Sequence, residues 1–392
     1  MKKTLFFLTD NYPYGHGEPF IENEINILAD NFKKVIIISK NILDKQTRSV
    51  PKNCEVYRIS KDYKKIVSVL LDKYYIHDLL RNIDIKNMKK IFSFQFYSKL
   101  IELKITELIK LYKIEKSDII LYSYWFYNGA YAGSVLKRKD IVYKVISRAH
   151  RYDLYLEENY QPLKNIILSN LSHLIACSKE GTEYLKNKYP EYATKIKYSY
   201  LGTNNTDEFK PKQKNKVILS CSYIVKVKRV ELIVDALSKL HDNDITWYHI
   251  GSGVLEKDVN EAARVKLKNI KYKFLGQLSN KQVLKFYKDN NILCLVNVSS
   301  SEGLPVSMME AQSFGIPIIA TNVGGVSEIV NEKTGYLLAA NPDSDDILQS
   351  IENIISLSTN DYRQLQINSY KNWNCNFNAE KNYNKFVELY LK

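Results

Sequence analysis

Glu302 and Glu310 stand eight residues apart in the run Ser301-Glu302-Gly303-Leu304-Pro305-Val306-Ser307-Met308-Met309-Glu310-Ala311. An apolar stretch of strand type, Asn291 to Val298, precedes them. Helix formers then run from Pro305 to Phe314 and stop at Gly315, with Pro317 beyond. Glu302 is therefore expected in a loop and Glu310 on a helix. The helix start between them leaves free backbone N–H groups from about Gly303 to Ser307, Pro305 excepted, for an anion such as a phosphate, at the positive end of the helix dipole. With a rise of about 1.5 Å per residue, Glu310 lies roughly 8 Å along the axis from that start. The two carboxylates are so spaced as to accept hydroxyls on either side of a diphosphate.

Five further groups fall at the ends of apolar runs. Asn11-Tyr12-Pro13-Tyr14-Gly15-His16-Gly17-Glu18-Pro19-Phe20 follows the first, where Gly15 and Gly17 permit close backbone approach to a ligand or simply make a tight turn. Ser147-Arg148-Ala149-His150-Arg151-Tyr152-Asp153 crowds one His, two Arg and one Asp into a strand-end loop, with Asp153 equally readable as a helix N-cap. Ser220 to Val230 carries Lys226, Lys228 and Arg229 ahead of a helix expected over Glu231 to Leu240, and His249-Ile250-Gly251-Ser252-Gly253 closes another strand, as does Gly276-Gln277-Leu278. Asp343-Ser344-Asp345 has the D-x-D form of a metal site, but it precedes a helix at Ile347 to Leu357, where N-capping explains it; no cluster has metal-ligand spacing, and no metal or cofactor is expected.

The string S-E-G-L-P-x-S-x-x-E-A-x-x-x-G-x-P-I-I-A-T, continued by Gly324-Gly325-Val326-Ser327-Glu328-Ile329-Val330 and Thr334-Gly335-Tyr336, resembles the retaining glycosyltransferases of family 4, in the glycosyl transferases group 1, of bacterial surface-polysaccharide type. The resemblance implies the GT-B fold: two Rossmann-like parallel-sheet domains facing a central cleft, with a C-terminal helix crossing back to the N-terminal domain. It implies a hexosyltransferase moving sugar from a nucleoside-diphosphate sugar, UDP- or GDP-linked, to a hydroxyl of a glycan or lipid-linked acceptor, with retention and without a metal. Carried over by residue, His150, Glu302 and Lys228 become catalytic. The donor contacts are Gly15, Gly17, Gly251, Gly253, Gly276, Gly303, Leu304, Pro305, Val306 and Glu310. Glu18, Arg148 and Asp153 orient these groups or touch the acceptor. The family's Arg is replaced by Tyr223, which leaves Lys226 or Arg229 to compensate and leaves open a catalytically silent partner subunit, or another GT-B enzyme such as an epimerase.

The 392 residues suffice for two cores, and 45% hydrophobic with 26% charged residues is ordinary for a folded protein. No run approaches a membrane span. Met1 to Leu8 begins like a secretion signal but meets Asp10 too soon, so a first strand and a cytoplasmic location are expected. Five scattered cysteines without a C-x-x-C pair read as small apolar core residues. The formal charge is +14, and residues 33–116 hold 20 Lys or Arg against 9 Asp or Glu. A solvated basic face and peripheral contact with anionic lipid on the inner membrane face explain this equally; Lys61 to Ile66 and Lys89 to Phe92 interleave the cations with apolar residues. Nucleic acid is disfavoured, because no binding module accompanies the charge.

Short β-branched runs alternating with helical patterns must position these groups, and they argue for parallel sheets covered by helices. Strands are expected near Thr4–Leu8, Val35–Ser39, Ile119–Tyr122, Val142–Ser147, His173–Ala176, Val217–Cys221, Ile245–Ile250, Tyr272–Leu275, Ile292–Val296 and Ile316–Ala320. The polar stretch Gly202 to Lys216 reads as a linker, giving domains 1–210 and 211–372 and a terminal segment 373–392 whose helix, Asn378 to Leu391, has one apolar face. The aromatic run Tyr122 to Tyr131 reads chiefly as core, with stacking on a sugar as the alternative.

Overall fold

The computed structural model describes residues 3–15, 17–41, 45–60, 66–82, 84–157, 159–242 and 244–392. His16 of the glycine loop, Met1 and Lys2 ahead of the first strand, and Lys61 to Lys65 of the basic stretch lie outside the described residues. The chain divides into two compact units, Met1–Tyr200 with Glu380–Lys392, and Leu201–Ala379.

Unit 1 is built on seven parallel strands: β1 (Thr4–Thr9), β2 (Lys34–Ser39), β3 (Cys54–Arg58), β4 (Ile119–Ser123), β5 (Lys144–Ala149), β6 (His173–Ala176) and β7 (Ile196–Tyr198), in the order β3-β2-β1-β4-β5-β6-β7. β1, with the sequence TLFFLT, is buried along its whole length, as a central parallel strand covered by helices on both faces must be. Helices over Met88–Tyr112 and Asn128–Arg138 build the core on one face, where Ile105, Leu108, Ala132 and Val135 are buried. The other face receives Ile25–Asn31 and the terminal segment: Phe386, Val387 and Leu391 are buried with Leu5, Phe7, Ile120 and Tyr122. That segment is the helix Ala379–Phe386, extended by a wider turn over Val387–Leu391.

Unit 2 repeats the plan with six strands: β8 (Val217–Cys221), β9 (Thr246–Ile250), β10 (Lys271–Phe274), β11 (Ile292–Asn297), β12 (Ile318–Thr321) and β13 (Gly335–Leu338), in the order β10-β9-β8-β11-β12-β13. Both sheets thus reverse direction of winding once, between β1 and β4 and between β8 and β11. Loops beyond the carboxyl ends of such strand pairs are where open α/β sheets bind ligands. Asp343 caps the helix Ser344–Ser356 by accepting from the N–H groups of Asp345 and Asp346, so the D-x-D is a helix start. Among the described residues no group of three His, Cys, Asp or Glu could hold a metal, and no helix is long and apolar enough to cross a membrane. Cys54, Cys177 and Cys294 are buried as expected; Cys221 is half-buried and Cys375 exposed, which corrects the reading of all five as core residues.

Candidate functional site

At the β8/β11 switch point of unit 2, two loops are tied together before any side chain is considered. Ser300 N–H donates to the carbonyl of Val227 at 2.8 Å. Arg229, in the left-handed conformation at φ 48°, reaches across to donate to the carbonyls of Val298 (2.6 Å), Ser299 (2.9 Å) and Ala340 (2.9 Å). Thr321 Oγ1 donates to the same Ser299 carbonyl at 2.5 Å. This bracing sets Lys228 Nζ 2.5 Å from Glu302 Oε1, and Asn297 Nδ2 donates to that oxygen from 3.4 Å. Arg229 is thereby held on the loop carbonyls, whereas Tyr223 and Lys226 are exposed.

Glu302 lies in the loop and Glu310 on the helix Val306–Ser313, with Pro305 at the N-cap position, one residue before the helix and not its first residue. Leu304 is buried. By position, the N–H groups of Val306 and Ser307 have no partner within the helix. Glu310 is buried and accepts from Asn280 Nδ2 at 2.5 Å. Burial pushes its carboxyl up to about 7, against the opposing effect of the Asn280 hydrogen bond. Cys221 and the buried Tyr287 adjoin it: burial and then the Glu310 charge raise the Cys221 thiol, opposed by its hydrogen bond with Tyr287, while burial and then the charges of Cys221 and Glu310 raise the Tyr287 hydroxyl.

The glycines divide by what surrounds them. A Cβ on Gly251 (φ 134°) would stand 1.9 Å from the Ser222 carbonyl oxygen, and one on Gly253 2.3 Å from that of Ile224; these two glycines let the β9 turn lie against the loop after β8. Gly276, φ 67°, faces open space and accepts from Gly251 N–H at 2.9 Å. Gly303 accepts from Gly325 N–H at 2.8 Å, while Gly324, at φ 52°, would place a Cβ 1.9 Å from the Glu302 carbonyl oxygen. Only glycine lets that turn close under the Glu302 loop.

In unit 1 the loops after β1, β4 and β5 meet. Glu18 adopts the left-handed conformation (φ 55°), which folds its carboxylate back to accept from the N–H groups of Asp10 (3.0 Å), Asn11 (2.6 Å) and Tyr12 (2.5 Å), and from the indole of Trp125. Burial raises its pKa, opposed by these donors. Gly17 packs so close to Asn11 that a Cβ would come within 2.9 Å of its amide, and Gly15, φ 56°, donates to the Lys45 carbonyl. Asp153 is not the N-cap residue of its helix, Arg151–Leu154, but its third residue; it completes a capping box by accepting from the N–H of the N-cap His150 at 2.6 Å, also accepts from Phe126 N–H, and so joins the loops after β4 and β5. Burial raises Asp153 and lowers its neighbour Lys164, each opposed by the other's charge.

His150 is enclosed by Tyr124 (ring centroids 4.7 Å, stacked), Trp125 (4.9 Å) and Phe20 (5.9 Å, stacked). Burial and then the Arg148 charge push its pKa down to about 3, so the ring is neutral at physiological pH, and its buried Nε2 has no hydrogen-bond partner among the described residues. Arg148 is wholly buried: its Nε donates to Tyr122 Oη at 2.7 Å, Nη1 donates to the Ser199 carbonyl, Nη2 lies 4.0 Å from Glu24, and the guanidinium covers the Phe386 ring at 4.1 Å. Its guanidinium is thus wholly enclosed by protein groups. Of the aromatic run, Tyr122, Tyr124, Phe126 and Tyr131 are core, and half-buried Trp125 belongs to the site. Asn280, Asn297, Trp125 and the clamp of Arg229 were not singled out from sequence; Asn297 alone left a trace there, a polar residue ending an apolar strand.

Residues 203–372 match the model of the glycosyl transferases group 1. An uncharacterised glycosyltransferase of Methanocaldococcus jannaschii is 27% identical over 263 residues, covering 64% of this chain and 71% of that protein. The O-antigen biosynthesis glycosyltransferase WbnH of Escherichia coli is 28% identical over 184 residues, 44% of this chain and 48% of its own. Among solved structures, Anabaena HepE in complex with UDP and glucose superposes with a TM-score of 0.71 at 16% identity, covering 100% of this chain and 99% of that one. Two switch-point sheets of this topology, a second unit that matches the glycosyl transferases group 1 over residues 203–372, and glycosyltransferase relatives agree: the chain is a glycosyltransferase of the GT-B fold.

Proposed function

We propose that the chain is a retaining, metal-independent hexosyltransferase that moves sugar from a nucleoside-diphosphate sugar to a hydroxyl of a glycan or lipid-linked acceptor in surface-polysaccharide synthesis. In this reading unit 2 is the donor domain and unit 1 the acceptor domain. The observation that carries it is the braced Lys228–Glu302 pair beside the start of the helix that ends in buried Glu310. A lysine ammonium and two helix-start N–H groups offer positive charge to a diphosphate, Glu302 accepts sugar hydroxyls, and Glu310 accepts the ribose hydroxyls. The complex of HepE with UDP and glucose supports a nucleotide-sugar donor.

His150 presents a neutral ring whose Nε2 accepts a hydroxyl of the transferred sugar and steadies positive charge developing at its ring. In a front-face transfer, the bond from the anomeric carbon to the phosphate oxygen breaks as the acceptor oxygen bonds on the same face, and the acceptor's proton passes to the leaving phosphate. Catalysis then rests on placement and charge stabilisation.

Thermal-shift measurement against UDP-, GDP-, ADP- and CMP-sugars tests the reading. A donor at a hundred times its Kd stabilises the fold by about 2.7 kcal/mol, and the shift should vanish in Glu310→Ala. Retention is read from the anomer of the product by NMR, and metal independence from turnover in EDTA. A second reading, a silent partner subunit, is favoured by one observation: exposed Tyr223 stands where the family has an arginine, and Arg229 is spent on loop carbonyls. A donor shift with neither transfer nor donor hydrolysis would establish it.

A further inference from the structure

Six of the fifteen large apolar side chains exposed among the described residues fall within nineteen positions of unit 1: Val67, Leu70, Leu71, Ile76, Leu80 and Ile85, from 37% exposed at Ile76 to 87% at Ile85. They lie on and between two short helices, Ile66–Leu70 and Lys73–Arg81, and at the approach to the long helix Met88–Tyr112. The helix Lys73–Arg81 shows why this is no ordinary surface. It turns Tyr75 and Asp78 inward and leaves Lys73, Ile76, His77, Leu80 and Arg81 outward, so aliphatic and cationic side chains share the exposed face. Lys86, Lys89 and Lys90 extend the cationic part.

The acids of the same stretch are withdrawn from that face. Asp72 is held by Lys99 (2.6 Å) and Lys139 (2.5 Å), and Asp78 is buried against Arg138 (2.7 Å). Asp84 remains, capping the turn at Asn87. Leaving large aliphatics in water costs about 25 cal/mol per Å² relative to burying them, and contiguous exposed apolar surface marks a binding face. Interleaved lysines restrict what covers it. An apolar protein partner would have to bury the ammonium groups, whereas at a bilayer surface aliphatic side chains enter the acyl boundary while lysines reach the phosphates.

We propose that residues 67–90 form a docking surface for an anionic lipid bilayer, Val67, Leu70, Leu71, Leu80 and Ile85 entering the headgroup boundary and Lys73, Arg81, Lys86, Lys89 and Lys90 pairing with lipid phosphates. The surface lies wholly in unit 1 and uses none of the residues assigned to the donor, so it stands or falls independently of the transfer chemistry.

The test is flotation of the whole protein with vesicles of phosphatidylcholine containing phosphatidylglycerol, and with pure phosphatidylcholine vesicles, at low and high salt. Flotation with the anionic vesicles, reversed by salt, is expected. Changing Lys86, Lys89 and Lys90 to Gln should weaken it roughly five-fold per lysine. The exposed triple change Leu71→Ser, Leu80→Ser, Ile85→Ser should abolish it while the circular dichroism spectrum and melting temperature stay those of the wild type, which controls for folding. A Leu71→Trp variant should shift its emission to the blue on anionic vesicles. No flotation at low salt, equal flotation on neutral vesicles, wild-type binding by the serine triple, or concentration-dependent self-association removed by that triple would each overturn the proposal.

Discussion

Glu310 concentrates the conflict between binding and stability in one side chain. Its folded pKa of about 7 lies above the ordinary carboxyl value because burial disfavours the charge. The stability this group contributes is therefore fully present below its unfolded pKa and is lost as pH rises through about 7. Glu310→Gln should raise stability at pH 8 by about 2 kcal/mol and make no difference near pH 4, measured by urea unfolding at both values, while the donor shift disappears. Donor binding near pH 7 should also release a proton, seen calorimetrically as a buffer-dependent heat that the Gln variant lacks. His150→Ala should lower kcat about a hundred-fold or more with a smaller change in donor Kd. The carboxylates could be read from sequence because one short segment carries both. Asn280 could not, since it comes from another helix thirty positions away and only folding brings its amide to Glu310.

The turns that brace the loops act at the scale of elements. Gly324→Ala would force a Cβ into the Glu302 carbonyl at a backbone angle that alanine rarely adopts, so the Glu302 loop must shift. The expected result is a loss of about 1–3 kcal/mol in stability together with weaker donor binding, checked by denaturation and thermal shift. Arg229→Met should loosen the same loops through three lost carbonyl partners and so lower donor affinity, checked by thermal shift with the donor. Central strands such as β1 and β11 announce themselves as unbroken apolar runs because both faces are covered. The strands β3, β7 and β13 were not expected; they lie at sheet edges, and half or more of their side chains are partly or fully exposed, so no apolar run marks them.

Across the whole molecule, the parallel sheets, their doubling and the family resemblance were legible in sequence, whereas the internal ties were not. Arg148, read from sequence as a residue that orients the site or touches the acceptor, is a buried post holding Tyr122, Ser199 and Phe386. Removing its terminal anchor by Phe386→Ala should cost unit 1 about 3–5 kcal/mol. Hydrogen exchange should then show faster opening of β1, β4 and β5, with β8 to β13 unaffected.

The core position of Phe386, Val387 and Leu391 has a consequence in time. These side chains complete unit 1, yet they leave the ribosome only after all of unit 2, from Leu201 to Ala379, has been made. At about 5–20 residues per second that interval is roughly ten to forty seconds. Through it the emerging first half carries an unfinished apolar face over Leu5, Phe7 and Ile120, and the nascent chain has to be shielded there until its last turn arrives.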